Sequence, residues 1–366
     1  MIIIPATVTV GYCPIHIFLK IMHNNSMLIL GIETSCDECA AAVVENGGNV
    51  LSNVIATQIP FHAQYNGVVP EIASRKHTEW IYHVVDEALN TAGLGPNDID
   101  AIAATSRPGL LGSLLVGLSF AKGFAWAKNI PFIAVDHMKA HLYASRLGSA
   151  NPPEYPFLGL LVSGGHSIIC RSDSFDDITV LGTTIDDAAG EAFDKIAKYY
   201  HFGYPGGAVI DHLAQTGDSE TFRFPMPSLH KGNHRYDVSY SGLKNAVINQ
   251  IEQFRVKKNE QIKSEDIAAS FQKTAVAILL RALFNAAEDT GIKTIAAGGG
   301  VAANSFLRAC LAERPDLKCI FPPLDYCGDN GAMIAGIAFH YLTRGDISPL
   351  SATACARVEG FKKKYP

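Results

Sequence analysis

Two histidines four residues apart are the clearest candidates for metal chemistry in this sequence. In a helix, His137 and His141 would share one face, so both imidazoles could reach one ion. Neutral imidazole is a good ligand for iron or zinc. Met138 stands where the zinc-peptidase pattern H-E-x-x-H has its general-base glutamate. The pair is therefore compatible with a metal site or with a plain surface helix, and it argues against a peptidase.

A carboxylate far along the chain is a candidate third ligand. Asp329 directly precedes an apolar segment, residues 330–342, that is predicted to be a helix. Its side chain could cap that helix, or it could bind a metal through oxygen. Two histidines and one carboxylate would leave open positions on an iron-type ion.

Glycine-rich turns after apolar strands predict close approach to a nucleotide. One such turn is Ser163-Gly164-Gly165, which follows Leu161 and Val162. Another is the triplet at 298–300, which comes shortly before Asn304, whose carboxamide suits a ribose or a base edge. Backbone amides in such turns, and helix N-termini, can bind a phosphate. Taken separately, each is also compatible with an ordinary tight turn.

An acidic run offers further polar groups. Asp187, Glu191, Asp194 and Lys195 recur three or four residues apart, which predicts one acidic helix face. A solvated face explains this spacing equally well. Gly207, in the glycine pair that follows Pro205, marks one more turn where backbone can approach a ligand.

Hydrophobic periodicity predicts the elements that must position these groups. Strands are expected at residues 28–32, 39–45, 51–57, 99–105, 133–135, 157–162, 168–171 and 294–297. Helices are expected at 75–92, 114–126, 187–200, 241–254, 265–289 and 330–342, with another opening at His137.

The order of these elements predicts an α/β protein with two duplicated lobes around a cleft. Residues 27–152 are expected to form the first lobe and residues 153–366 the second. The second lobe opens with strand, Gly/Ser turn and strand, as the first does. The final helix could pack back onto either lobe, including the first.

Length, charge and cysteine content narrow the classes of function that the chain can have. The chain has 366 residues, 48% hydrophobic and 18% charged, which is enough for two cores. Its net charge of -5 argues against a protein that holds nucleic acid unaided. An RNA substrate would require a partner or a local basic patch, for which the lysines at 362–364 are a candidate. Eight scattered cysteines, with C-x-x-C spacing only at Cys36 and Cys39, predict a reducing, cytoplasmic compartment without disulfides.

Residues 1–26 are interpreted as a non-native extension. They lack the basic start and cleavage site of a signal peptide, and Pro5, Gly11 and Pro14 interrupt their apolar stretch, so no membrane association is expected. Met27 directly precedes the first strand and is the expected natural start. A weak targeting segment is the alternative.

Together and in this order, the motifs resemble one family over residues 27–342. It is the family of bacterial tRNA threonylcarbamoyladenosine transferase catalytic subunits, related to Kae-type proteins and once called O-sialoglycoprotein endopeptidases. The matching stretches are residues 31–38, 69–77, 107–114, 137–141, 161–166, 187–195, 241–244, 298–304 and 329–330.

The resemblance implies an actin/Hsp70/sugar-kinase-like fold with ribonuclease-H-like lobes and a nucleotide between them. It implies transfer of a threonylcarbamoyl group from threonylcarbamoyl-AMP to N6 of adenosine 37, in tRNAs reading codons that begin with A, with release of AMP. It assigns one divalent metal, with iron favoured and zinc or magnesium as alternatives, to His137, His141 and Asp329. The implied substrate-binding residues are Leu161, Val162, Ser163, Gly164, Gly165, Asp194, Gly207, Asp211 and Asn304.

The resemblance also implies partners, namely tRNA, a smaller paralogous subunit and a P-loop ATPase. The general base stays open between Asp194 and Asp37. Two departures from the family pattern, residues 138–140 and Gly328, remove no metal ligand. Three rival hypotheses are a small-molecule kinase of the same fold, a metallopeptidase and a non-catalytic scaffold.

Overall fold

A computed structural model describes residues 26–65, 67–229, 232–258 and 262–357 of the chain. The predicted extension, apart from Ser26, and the lysines at 362–364 lie outside the described residues. Two five-stranded sheets, each covered by helices, form two α/β lobes. This confirms the predicted fold class.

The first sheet has the order β3-β2-β1-β4-β5. Its strands are β1 (Leu28–Glu33), β2 (Glu38–Glu45), β3 (Asn49–Thr57), β4 (Ala101–Arg107) and β5 (Phe132–Asp136). Strands β1, β2 and β3 are antiparallel, whereas β4 and β5 run parallel to β1. The helices of this part of the chain are α1 (Ile59–His62), α2 (Pro70–Thr91), α3 (Leu111–Lys128) and α4 (His137–Tyr143).

The second sheet repeats this pattern in the order β10-β9-β6-β7-β8. Its strands are β6 (Phe157–Val162), β7 (Ser167–Ser172), β8 (Ile178–Thr183), β9 (Thr294–Gly298) and β10 (Lys318–Ile320). Again three strands are antiparallel and two are parallel to the first of them. The helices that follow β8 are α5 (Ala189–Tyr199), α6 (Gly206–Ala214), α7 (Ser241–Lys258), α8 (Ser264–Thr290), α9 (Ser305–Ala312) and α10 (Gly331–Arg344).

Sequence periodicity predicted all the long elements but missed several short ones. Strands β8 and β10 and helices α1, α6 and α9 were not predicted, because segments this short carry too few residues to show a clear period. Helix α2 begins at Pro70, five residues before the expected start, with proline in its first turn.

Helix α8 is the central helix of the second lobe. It is the one described helix that is long and apolar enough to cross a membrane, but 78% of its most hydrophobic window is buried inside the protein. Phe271 and Leu283, for example, are 0% exposed. Its hydropathy is therefore that of a core helix. The seven cysteines in the described part of the chain all have free thiols.

The last helix, α10, returns to the first lobe and packs against β1. Its buried residues Ala332, Ile334, Ala335 and Ala338 share a core cluster with Ile29 of β1. Contact is close because the helix crosses the strand at two glycines. A methyl group on Gly31 would overlap the carbonyl oxygen of Gly331 and lie 2.5 Å from the amide nitrogen of Ala335.

This contact yields a stability prediction. We expect Gly31→Ala to lower the free energy of unfolding by about 1–3 kcal/mol or more, because neither backbone can retreat from the new methyl group. The matched control is Gly123→Ala in α3, where an added Cβ meets nothing within 4 Å and alanine should stabilise by about 0.5–1 kcal/mol. Urea unfolding of both variants would measure the two effects, and equal midpoints would contradict the prediction.

Candidate functional site

Helix α4 begins at the carboxyl end of β5 and carries both predicted histidines. Asp136, the last residue of β5, caps the helix and accepts hydrogen bonds from the amides of Met138, at 3.0 Å, and Lys139, at 3.4 Å. This cap fixes the first turn. The rings of His137 and His141 then lie on one face, with their Nε2 atoms 3.1 Å apart.

Asp329 reaches these histidines from the loop before α10. The helix cap is Asn330, whose Oδ1 accepts from the amide of Met333 at 2.9 Å. The capping role considered for Asp329 is therefore performed by its neighbour, and the Asp329 carboxylate faces α4. Its Oδ1 lies 3.0 Å from Nε2 of His141 and 3.6 Å from Nε2 of His137.

The three atoms form a triangle of the size that one metal ion needs. Ligands about 2.1 Å from a common ion are about 3.0 Å apart at right angles and about 3.4 Å apart in a tetrahedron. The observed separations of 3.0 and 3.1 Å fall within this range, and that of 3.6 Å lies slightly above it. Two imidazole nitrogens and a carboxylate oxygen also suit iron or zinc better than magnesium, which prefers oxygen ligands. The residues present therefore fit the implied metal.

Glu33 contacts the side of the His137 ring that faces away from Asp329. The sequence did not identify it as a functional residue. It is the last residue of β1 and is 0% exposed. Its Oε2 lies 3.0 Å from Nδ1 of His137, and Thr105 donates to the same oxygen at 2.5 Å. A carboxylate on the far ring nitrogen fixes the tautomer and orientation of a metal-binding histidine. The only signal for it was its position within the stretch 31–38.

The electrostatics of the cluster favour a cation. Burial acts to lower the pKa of His137, but the carboxylates of Glu33 and Asp329 outweigh burial and raise it to about 9. Burial acts to raise the pKa of Asp329, but the two histidines outweigh it and lower the pKa to about 2. Burial and the neighbouring His137 lower the pKa of His141. One fully buried carboxylate, Glu33, and one largely buried carboxylate, Asp329, thus favour a positive charge between them.

Two adjoining cavities open beside the cluster, with volumes of about 640 and 480 Å³. They share a boundary formed by Asp37, Ser163, Gly164, Asp194, Tyr204 and Asp329. Residues of both lobes line the larger cavity, including Asp37 and Ile59 from the first and Ser163, Gly207 and Asn304 from the second. The candidate metal-ligand cluster of His137, His141 and Asp329 therefore lies at the edge of an inter-lobe cleft large enough for a nucleotide.

Most of the predicted substrate-binding residues line this cleft. Ser163, Gly164, Asp194, Gly207, Asp211 and Asn304 line the larger cavity, and Gly165 lines the smaller one. Leu161 and Val162 line neither: their side chains, 1% and 0% exposed, lie in the core as part of β6. Their side chains therefore hold the glycine turn in place from behind.

The acidic residues between 187 and 194 have two different sets of contacts. Asp187 and Glu191 form ion pairs with Lys195, at 2.7 and 2.9 Å, so that the predicted acidic face is partly neutralised. Asp194 does not pair with Lys195. It accepts a hydrogen bond from the amide of Gly206, at the start of α6, at 2.8 Å. Burial raises the pKa of Asp194. Both candidate bases, Asp194 and Asp37, lie where the two cavities meet.

Asn304 differs from the expectation that its carboxamide would be available to a ligand. Its Oδ1 caps α9 by accepting from the amide of Leu307 at 2.9 Å, and its Nδ2 donates to Asp211 and to Gln272. The amide group is thus already engaged with protein partners, and Asp211 is the neighbouring polar group that lines the cavity.

Comparison with known proteins identifies the family. A family model for tRNA N6-adenosine threonylcarbamoyltransferase matches residues 49–336. The curated protein of that name from Treponema denticola is 68% identical over 338 residues, which cover 92% of this chain and 99% of the relative. The one from Borreliella burgdorferi strain ZS7 is 50% identical over 340 residues, which cover 93% and 96%. The chain belongs to the tRNA N6-adenosine threonylcarbamoyltransferase family.

Membership of this transferase family, together with the fold, bears on the rival hypotheses. Threonylcarbamoyltransferases act on tRNA, so this protein is a tRNA-modifying enzyme, and the kinase, peptidase and scaffold hypotheses are set aside. Solved structures agree on the fold. Component A of the (R)-2-hydroxyglutaryl-CoA dehydratase of Acidaminococcus fermentans superimposes with a TM-score of 0.54 at 15% identity, over 87% of this chain and 98% of that one. Full-length HypF superimposes with a TM-score of 0.55 at 16% identity, over 88% and 56%.

The contact between Glu33 and His137 predicts an effect on metal binding by the threonylcarbamoyltransferase. We expect Glu33→Gln to weaken binding of Fe²⁺ or Zn²⁺ about 10- to 100-fold, because the neutral amide supports the imidazole less well than a carboxylate does. Competition with a chelator would measure the affinity. Glu45→Gln, at the far end of the β1–β2 pair, is the matched control and should bind metal normally. Equal affinities in the two variants would show that Glu33 does not tune the site.

Proposed function

We propose that the enzyme transfers the threonylcarbamoyl group from threonylcarbamoyl-AMP to N6 of adenosine 37 in tRNAs reading codons that begin with A, and releases AMP. The observation that carries this proposal is that Asp329 belongs both to the metal-ligand triangle and to the wall of the nucleotide-sized cleft. A donor bound in the cleft would thereby present its reactive end to the metal ligands.

The adenylate part of the donor fits the larger cavity. Ser163 and Gly164 form the turn after β6, and Gly207 belongs to the first turn of α6. Backbone amides at such turns and helix starts suit a phosphate. Added Cβ atoms at Gly164 and Gly207 would meet no protein atom within 4 Å, which leaves the space in front of both backbones to a ligand.

The metal is proposed to be iron, with zinc or magnesium as alternatives, and to be held by His137, His141 and Asp329. A divalent ion there would polarise the acyl oxygen or neutralise the phosphate and threonine carboxylate of the donor. Glu33 would keep the His137 ring turned towards the ion, and the buried β1 strand would hold Glu33 in place.

The transfer needs positioning more than reactivity. The exocyclic amine of adenine is a weak nucleophile because its lone pair is delocalised into the ring, and the mixed anhydride offers AMP as a good leaving group. In the reaction, the N6–carbon bond forms, the carbon–oxygen bond to the phosphate breaks and the electron pair leaves with AMP. The N6 proton passes to a base, for which Asp194 and Asp37 are the candidates on the cavity boundary. Burial raises the pKa of Asp194, which would make its carboxylate a stronger proton acceptor than an ordinary aspartate.

We propose that partner proteins help this chain to bind tRNA. Its net charge of -5 gives little general attraction for tRNA, so we propose that a smaller paralogous subunit and a P-loop ATPase assist binding and turnover. The proposed site of action is the cytoplasm, as expected for a chain whose described cysteines are all free thiols.

Loss of a metal ligand tests the proposal. We expect His141→Ala to lower formation of threonylcarbamoyladenosine by at least about 100-fold, because the remaining two ligands hold the ion poorly. The measurement is mass spectrometry of nucleosides from tRNA incubated with the enzyme, threonylcarbamoyl-AMP and the proposed partners. His83→Ala, which removes an exposed histidine of α2, is the control and should be active. Normal product from metal-free His141→Ala protein would overturn the role of the metal.

A further inference from the structure

Gln272 lies behind the wall of the larger cavity and does not line it. It sits within α8, and only 4% of the residue is exposed. Its Oε1 accepts a hydrogen bond from Nδ2 of Asn304 at 2.8 Å. A buried side-chain amide costs stability unless it is paired, so a specific partner for Gln272 is significant.

Asn304 connects Gln272 to the cavity. Its two side-chain N–H groups are divided between Gln272 and Asp211, whose Oδ1 lies 3.1 Å from Nδ2. Its Oδ1 is held by the amide of Leu307 at 2.9 Å. With three bonds made to three different elements, the carboxamide can neither flip nor swing towards a ligand.

Asp211 is the end of this chain of contacts and lines the larger cavity. Its Oδ1 accepts from Asn304 and from Oγ of Ser305 at 2.8 Å, and its Oδ2 accepts from the amide of Ser305 at 3.0 Å. A carboxylate offers about four acceptor positions, so Oδ2 keeps one position that no other donor in the described ranges fills. An acceptor in a nucleotide-sized cavity is suited to a hydroxyl donor, and the vicinal hydroxyls of a ribose are of this kind.

We propose that Gln272 is a positioning residue that acts through Asn304 to hold Asp211 in the orientation that accepts the ribose hydroxyls of the adenylate. The inference rests on the proposed function, since it concerns the same adenylate cavity. Loss of the Gln272 acceptor leaves one N–H group of Asn304 buried without a partner, and the carboxamide then turns to find another. Asp211 then keeps its two bonds to Ser305 but loses the one from Asn304, so its carboxylate is held less firmly in the orientation that accepts the ribose hydroxyls, while the metal ligands are unaffected.

The experiment measures binding of AMP and of 2′-deoxy-AMP to the full-length, metal-loaded enzyme by titration calorimetry. In Gln272→Met we expect about a tenfold weaker binding of AMP, and we expect the preference for AMP over 2′-deoxy-AMP to shrink towards one. In turnover assays the KM for threonylcarbamoyl-AMP should rise by a similar factor, with kcat within about twofold of wild type. Gln272→Leu, which also lacks the acceptor, provides a second test if the methionine variant does not fold.

Two further sets of variants distinguish a positioning role of Gln272 from a role in core packing. Gln272→Glu keeps an acceptor oxygen and should restore the sugar preference, whereas Thr274→Val removes a bond within α8 to Ser270 and should leave binding unchanged. The double variant Asp211→Asn/Gln272→Met should bind AMP no more weakly than Asp211→Asn by itself, because both changes act on the same carboxylate.

Unchanged AMP affinity and sugar preference in both Gln272 variants would overturn the inference. Failure of the wild-type enzyme to bind AMP would instead overturn the proposed adenylate site.

Discussion

The structure depends on the pairing of buried charge between residues that are far apart in sequence. The Glu33 carboxylate is fully buried and that of Asp329 is largely buried at the cavity wall, where an unpaired charge is unfavourable. His137 lies between them, 3.0 Å from Glu33 and 3.6 Å from Asp329, and His141 completes the group. The set is balanced only by a proton or a metal cation, so the same constraint that holds the elements together defines a cation site.

Close packing of α10 on β1 is what brings Asp329 to this set. The helix follows the second lobe in sequence but lies on the sheet of the first, and two glycines allow the backbones to touch. Asn330 caps the helix at the point where it reaches the sheet, which turns the preceding carboxylate towards α4. Helix packing and capping thus bring the candidate third metal ligand to the two histidines.

The inter-lobe cleft combines small residues with fixed polar groups. Glycines at the strand and helix ends leave room for a ligand against the backbone, whereas Asp194 and Asp211 are held by amides at the starts of α6 and α9. Both carboxylates are therefore oriented before any substrate arrives, which limits the ordering cost of binding. This preorganisation suits the proposed reaction, which depends on placing an amine and an activated acyl group side by side.

The sequence by itself determined the features that depend on residues close together in the chain. The four-residue spacing of His137 and His141 put them on one turn, and the glycine turns after β6 and β9 were visible as such. Its motifs also identified the family. The tertiary structure decided the rest: the contact of Glu33 with His137, the support of Asn304 by Gln272, and the capping of α10 by Asn330 rather than Asp329. The first two join residues 104 and 32 positions apart, and the third depends on which way each side chain turns once the helix is packed. Periodicity and turn preferences report only local backbone geometry, so no pattern in the sequence encodes such contacts.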